Sequence, residues 1–165
     1  MTRFTRLGAL TGAVLSPLVP ALLAALAASP LAATAATAAP DGKALFTANC
    51  AACHNADASG IAGVAPPLAG ALRERLATPA GQAYLANVVV HGLAGPIESQ
   101  GQSYNGIMPS FATLPDDDLA AVLAWLGTQN GQAAPSVGAE LLAKARAERK
   151  TPGAVRKLRD GAAAR

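Results

Sequence analysis

Two cysteines, two histidines and two methionines are all that the 165 residues offer to soft-ligand or redox chemistry. So few cysteines exclude a disulfide-built scaffold. Aromatic side chains are scarce too, with one Trp, two Tyr and three Phe. Side chains this small and few leave an ordinary interior under-filled. Charged residues make up only 14% of the chain, and no basic run interleaves with aromatics. That absence speaks against a nucleic-acid partner. Strand-like alternation of apolar and polar positions is missing, and no internal repeat is visible.

What is present begins with a leader. Arg3 and Arg6 precede an apolar stretch, Leu7 to Ala33, followed by small residues from Thr34 to Ala39. The order basic, apolar, small is that of an export signal, and Ala36 and Ala38 supply an A-x-A spacing. Residues 1–38 are therefore read as an export signal cleaved after Ala38. The stretch is long, so retention as an uncleaved membrane anchor is the alternative. Pro17, Pro20 and Pro30 interrupt a continuous spanning helix. The expected location is the periplasm, free or held at the membrane by the leader.

Beyond the leader the charge divides. Residues 40–131 hold three basic and seven acidic side chains, a balance of −4, whereas residues 132–165 hold eight basic and three acidic ones, a balance of +5. A mildly acidic body, 39–131, thus carries a basic C-terminal extension, 132–165. The irregular spacing of its charges reads as a solvated face.

Helical signals recur along the body. Asp41 can cap a helix reaching about Asn49, with Leu45 and Phe46 facing inward. A loop rich in Gly and Pro follows, Gly60 to Gly70. Thr78-Pro79 is a cap followed by an N1 proline, opening a helix that ends near Gly92. From about Pro115 to Gln129, Leu119, Val122, Leu123 and Leu126 fall on one face. The extension predicts two short amphipathic pieces, Ala139 to about Arg149 and Thr151-Pro152 to Arg159, which either lie on the body or fray. Between the helix ending near Gly92 and the one starting near Pro115, residues 95–114 show no helical period and are read as a long functional loop with a turn at Asn105-Gly106. The fold class expected is all-α.

Both cysteines sit in one motif, Cys50-Ala51-Ala52-Cys53-His54. C-x-x-C-H is the pattern of covalent c-type haem attachment. The two thiols can add to the two vinyl groups along one porphyrin edge, and His54 then lies under the iron. Two other chemistries use such cysteines. A redox dithiol wants a preceding strand, and none is visible. A structural zinc site needs four ligands, and only His91 remains to join Cys50, Cys53 and His54. One covalent haem c is the expected cofactor. It would also supply the volume that Phe46, Tyr84, Tyr104, Phe111 and Trp125 cannot. Haem-free protein is accordingly expected to be largely unfolded.

From Asp41 to Gly131 the chain resembles the class I cytochromes c. Gly42-x-x-x-Phe46 is similar to the glycine and aromatic of a first helix that crosses the last, with Val122 and Trp125 as the partners. Pro66-Pro67-Leu68-Ala69-Gly70 looks like the loop whose proline carbonyl accepts the Nδ1 proton of the axial histidine, a role that falls on Pro66. Tyr104-Asn105-Gly106-Ile107-Met108-Pro109 looks like the methionine loop. The resemblance implies a small cytochrome c fold, three to five helices around one covalent haem, with a partly helical basic tail. Where such proteins often place Ser or Thr before the last helix, this chain has Pro115, leaving Thr113 or Leu114 as the cap. The stretch from Val90-His91-Gly92-Leu93-Ala94-Gly95-Pro96-Ile97 through Met108-Pro109 also resembles the cytochrome domain fused to some copper nitrite reductases, which implies a shared module and does not establish a shared partner.

Met108 is the expected sixth ligand, being the one methionine besides Met1. Its neutral thioether favours Fe(II) and raises the potential. The rival ligand is His91, and the bland reading of Met108 is core filler. Tyr104 and Trp125 either hydrogen-bond the haem propionates or are plain core aromatics. The function expected is one-electron transfer, with no enzyme activity, between redox protein partners in a periplasmic or membrane-associated respiratory chain. The alternative is a dedicated cytochrome subunit of a periplasmic oxidoreductase or terminal oxidase. A haem enzyme or gas sensor would need an open iron, and His91 is the one candidate for distal acid–base work.

Overall fold

Asp41 opens the first helix by accepting hydrogen bonds from the backbone N–H groups of Lys43 and Ala44, at 3.0 and 3.1 Å. The computed structural model describes residues 39–133 and 135–163. The leader expected over residues 1–38, with its cleavage site or anchor, lies outside the described residues.

Helix α1 (Gly42–Asn49) turns at Cys50 into a single turn, α2 (Ala51–His54), which carries the second cysteine and the histidine. A second short helix, α3 (Arg73–Leu76), precedes α4 (Pro79–His91). Thr78 Oγ1 caps α4 by accepting from Gly81 N at 3.1 Å, with Pro79 next in line. Gly92 ends it at φ +77°, a conformation that favours glycine.

Helix α5 (Asp116–Thr128) packs across α1. A Cβ on Gly42 would stand 2.0 Å from Ala121 O, so only glycine permits this crossing. Phe46, fully buried, meets Trp125 there at 4.5 Å between ring centroids. The cap of α5 departs from expectation. Pro115 itself holds the N-cap position without any side-chain hydrogen bond, and neither Thr113 nor Leu114 takes it. Asp116, Asp117 and Asp118 in the first turn place negative charge by the free N–H groups instead.

The all-α expectation is borne out, while the reading of one segment as a long loop needs correction. The fold is mostly helical, but residues 95–114 are not a structureless loop. Strands β1 (Leu93–Ser99) and β2 (Gln102–Met108) form an antiparallel hairpin, running in register from Leu93–Met108 to Ser99–Gln102. The turn is Gln100-Gly101, with φ +51° and +75°, the double positive φ of a tight two-residue hairpin. Asn105 and Gly106 lie inside β2, opposite Pro96 and Gly95. Alternation is hidden because only Leu93, Ile97 and Tyr104 are buried in the hairpin.

The basic extension lies on the body. Helix α6 (Ala139–Ala147) buries Leu142 and Ala145, and α7 (Pro152–Ala163) buries Val155. Both pack on α4, and α7 also crosses β1. Polar ties fasten them, three of them as follows. His91 Nε2 donates to Ala145 O at 2.8 Å. Arg146 pairs with Asp116 at 2.7 Å and donates to the carbonyls of Ala112 and Leu114. Arg159 reaches the Glu98 carbonyl on β1. Among the described residues no helix is long and apolar enough to cross a membrane.

Candidate functional site

Helices α1, α2, α4 and α5, the hairpin and the loop between α2 and α3 surround a cavity of about 460 Å³. Ligand pockets typically span about 300–1,000 Å³. Leu68, Leu85, Val88, Val122 and Leu126 make much of its wall apolar. The thin complement of large side chains thus leaves one sizeable space in the middle of the body.

Six residues singled out from the sequence line that space together: Cys50, Cys53, His54, Pro66, Tyr104 and Met108. Two do not. Trp125 packs on Phe46, and His91 is turned to α6 by its bond to Ala145 O. The cysteines are not joined to each other, Cys50 being half-buried and Cys53 exposed. Burial, and then the neighbouring Cys53, push the Cys50 thiol up to about 11. Before haem attachment it is therefore a neutral S–H beside an apolar wall, not a thiolate. Among the described residues no group of three or more His, Cys, Asp or Glu side chains is arranged to hold a metal ion, and His91 does not join the cysteines.

The loop from Asn55 to Leu72 holds the imidazole. His54 Nδ1 stands 2.9 Å from Pro66 O. A carbonyl only accepts, so Nδ1 carries the proton, and Nε2 of the neutral ring keeps its lone pair. Burial lowers the histidine pKa, outweighing the Pro66 bond that acts the other way, and so keeps the ring neutral. A neutral imidazole with a fixed tautomer is the form that binds a metal. Gly60 lets the loop close. At φ +75°, it would place a Cβ 2.6 Å from the Pro66–Pro67 peptide.

Asn130 was not foreseen from the sequence. Buried just past α5, it accepts from Leu72 N at 2.8 Å and donates to Leu68 O and Leu126 O at 3.0 and 2.8 Å. It thereby locks the proline loop to the last helix of the body. A polar residue after a helix ordinarily reads as a solvated end, so no sequence signal marked it.

Met108 closes β2 opposite Leu93. Gly92 lies so near that a Cβ there would come 2.6 Å from Met108 O. Ser110 Oγ donates to Val90 O at 2.6 Å, tying the segment beyond Met108 to α4. A thioether and an imidazole thus reach one cavity from segments far apart in the chain, beside two thiols with C-x-x-C-H spacing.

The family model for cytochrome c matches residues 39–130. The chain belongs to the cytochrome c family. Two proteins named cytochrome c-552 from Thermus thermophilus are similar to it. One is 44% identical over 120 residues, covering 70% of this chain and 80% of the relative. The other is 44% identical over 117 residues, covering 68% and 88%. As a cytochrome c the chain carries one covalently bound haem c and works in electron transfer, not catalysis. The cavity fits that group in its size, its apolar lining and its donors: paired thiols, an oriented imidazole and a thioether.

Proposed function

We propose that this cytochrome c is an exported one-electron carrier of a periplasmic or membrane-associated respiratory chain. In that reading residues 1–38 direct export, 39–131 hold the haem and 132–165 form a basic extension. Cys50 and Cys53 form the two thioethers, each by adding its S–H across a vinyl double bond. His54 and Met108 are the axial ligands, Pro66 orients His54, and Tyr104 lines the pocket with a hydroxyl that makes no hydrogen bond among the described residues. The bound group supplies a reversible Fe(III)/Fe(II) couple.

The observation that carries this reading is the shared cavity: His54 and Met108 line it together, and His54 Nδ1 is already committed to Pro66 O. Two protein ligands leave the iron no position for substrate, so the chain contributes a tuned potential and a contact surface. Ile107 is 81% and Val64 59% exposed, and both sit on the rim of the cavity. An apolar rim of this kind suits the small, transient contacts of redox partners. The role of dedicated oxidoreductase subunit loses one support, because the extension that might dock it is bound to its own body.

The test is the absorption spectrum. Oxidised protein is expected to show a band near the red edge that disappears in Met108→Ala, and the reduced wild type is expected to bind no CO at neutral pH. A band untouched by the substitution, or ready CO binding by the wild type, contradicts the assignment.

A further inference from the structure

The two strands of the hairpin have unequal outer edges. The two-residue turn makes Ser99–Gln102 a hydrogen-bonded pair, and bonded and open levels alternate from there along the register. The open levels are Glu98–Ser103, Pro96–Asn105 and Ala94–Ile107. Residues at an open level turn their backbone N–H and C=O away from the partner strand. On β1 this outward row is guarded. The Glu98 carbonyl accepts from Arg159, Pro96 has no N–H to offer, and α7 packs against the strand.

On β2 the same row is bare. No turn, loop or side-chain hydrogen bond among the described residues reaches the backbone of Ser103, Asn105 or Ile107. The sheet has two strands, so no third strand covers this edge among the described residues. All three side chains are exposed, Ile107 at 81%. From Gln102 to Met108 there is no charged residue and no proline, and the register runs through without a bulge. Charge, proline, bulges and covering elements are what keep an edge strand single. Strand β2 has none of them.

We propose that β2 is a self-pairing edge: two copies of this cytochrome meet antiparallel, β2 to β2, about a two-fold axis at Asn105. Asn105 then faces the same residue of the second copy, and Ser103 faces Ile107, with two backbone bonds at each level. A second copy fits this edge for two reasons. The row is self-complementary and opposes no like charges. Residues 39–165 also carry eleven basic and ten acidic side chains, so copies approach without strong net repulsion. The contact is small, which makes the pairing weak and dependent on concentration. Its consequence is electronic. Tyr104, Gly106 and Met108 of β2 line the cavity, so paired strands set two haem cavities side by side. One electron can then pass from Fe(II) in one copy to Fe(III) in the other. That consequence rests on the carrier reading, whereas the pairing rests on the hairpin alone.

The test is sedimentation equilibrium of mature holoprotein from micromolar to millimolar concentration, with near-UV ellipticity confirming the native fold. The wild type is expected to pass from monomer to dimer. Asn105→Pro removes one outward N–H from each copy and spares the bonds between β1 and β2, as Pro96 does at the same level. It is expected to weaken dimerisation about tenfold, two backbone bonds being lost. Asn105→Lys and Asn105→Asp each oppose like charges and are expected to weaken it about 2–5-fold. An equal mixture of these two is expected to dimerise at least as well as the wild type. Should Asn105→Pro fold poorly, the charge pair carries the test. A wild type that stays monomeric at millimolar concentration, even one whose edge binds a strand of another protein, overturns the proposal. So does a dimer indifferent to Asn105→Pro, or charge variants that fail to recover on mixing. Electron exchange in half-reduced holoprotein, read from NMR line broadening, is expected to slow in Asn105→Pro. Unchanged exchange in a variant that no longer dimerises overturns the electronic consequence alone.

Discussion

His54 stands in a stretch of chain tied to itself. Its carbonyl accepts from Gly60 N at 2.9 Å, Asn55 Nδ2 donates to Gly60 O at 2.7 Å, and Pro66 O holds the ring. Every partner lies within a dozen residues. Met108 is held by other means. It depends on pairing with Leu93, on the close approach of Gly92, and on ties from Ser110 and Phe111 back to α4. Its neighbour Ile107 is almost fully exposed. One wall of the cavity is local and covalent, the other non-local and edge-like. The histidine side is therefore expected to outlast the methionine side under any mild disturbance, since pairing across a hairpin opens at lower free energy than a packed core.

Removing the covalent anchor should erase the comparison. In Cys50→Ala/Cys53→Ala the cavity loses its filling, and the chain is expected to lack native near-UV ellipticity. A folded, colourless protein would show that the small side chains suffice alone. The next largest effect is expected from Gly60→Ala. Its Cβ would meet the Pro66–Pro67 peptide at 2.6 Å with φ at +75°, so overpacking and backbone strain together cost about 2–5 kcal/mol. Denaturant unfolding of the holoprotein measures it.

Asn130→Leu leaves the buried Leu72 N–H without its acceptor, a loss of about 1–3 kcal/mol. Both Gly60 and Asn130 support the histidine wall, so their variants should loosen haem contacts while sparing the hairpin. Gly101→Val works on the other side. Its Cβ meets nothing within 4 Å, yet φ is +75°, so backbone strain alone should cost about 1 kcal/mol or somewhat more. The red-edge band is expected to fade on heating well before global unfolding in this variant. Simultaneous loss of band and fold would remove the distinction between the two walls.

The same contrast governs what could be read from the residues. Helix α1 is announced by Asp41, α4 by Thr78-Pro79 and Gly92, and α5 by its apolar face. The cysteine–histidine motif needs only five consecutive residues. The hairpin was hidden because Gly95, Pro96 and Gly106 are poor strand formers, and because Asn105-Gly106 imitates a turn while Gln100-Gly101 makes the real one. Helices α2 and α3 are four residues each, too short to leave a period. Asn130 was invisible because its role depends on a partner 58 residues away, and local pattern carries no trace of that. Trp125, a conspicuous lone residue, turned out to pack on Phe46 and not to line the cavity.

The most direct measurement is the mass of the peptide spanning residues 50–54, cut from mature protein made in a host that attaches haem. The account predicts one haem added, with neither sulfur open to alkylation. Recovery of that peptide at its bare mass, with both thiols alkylated, would contradict it.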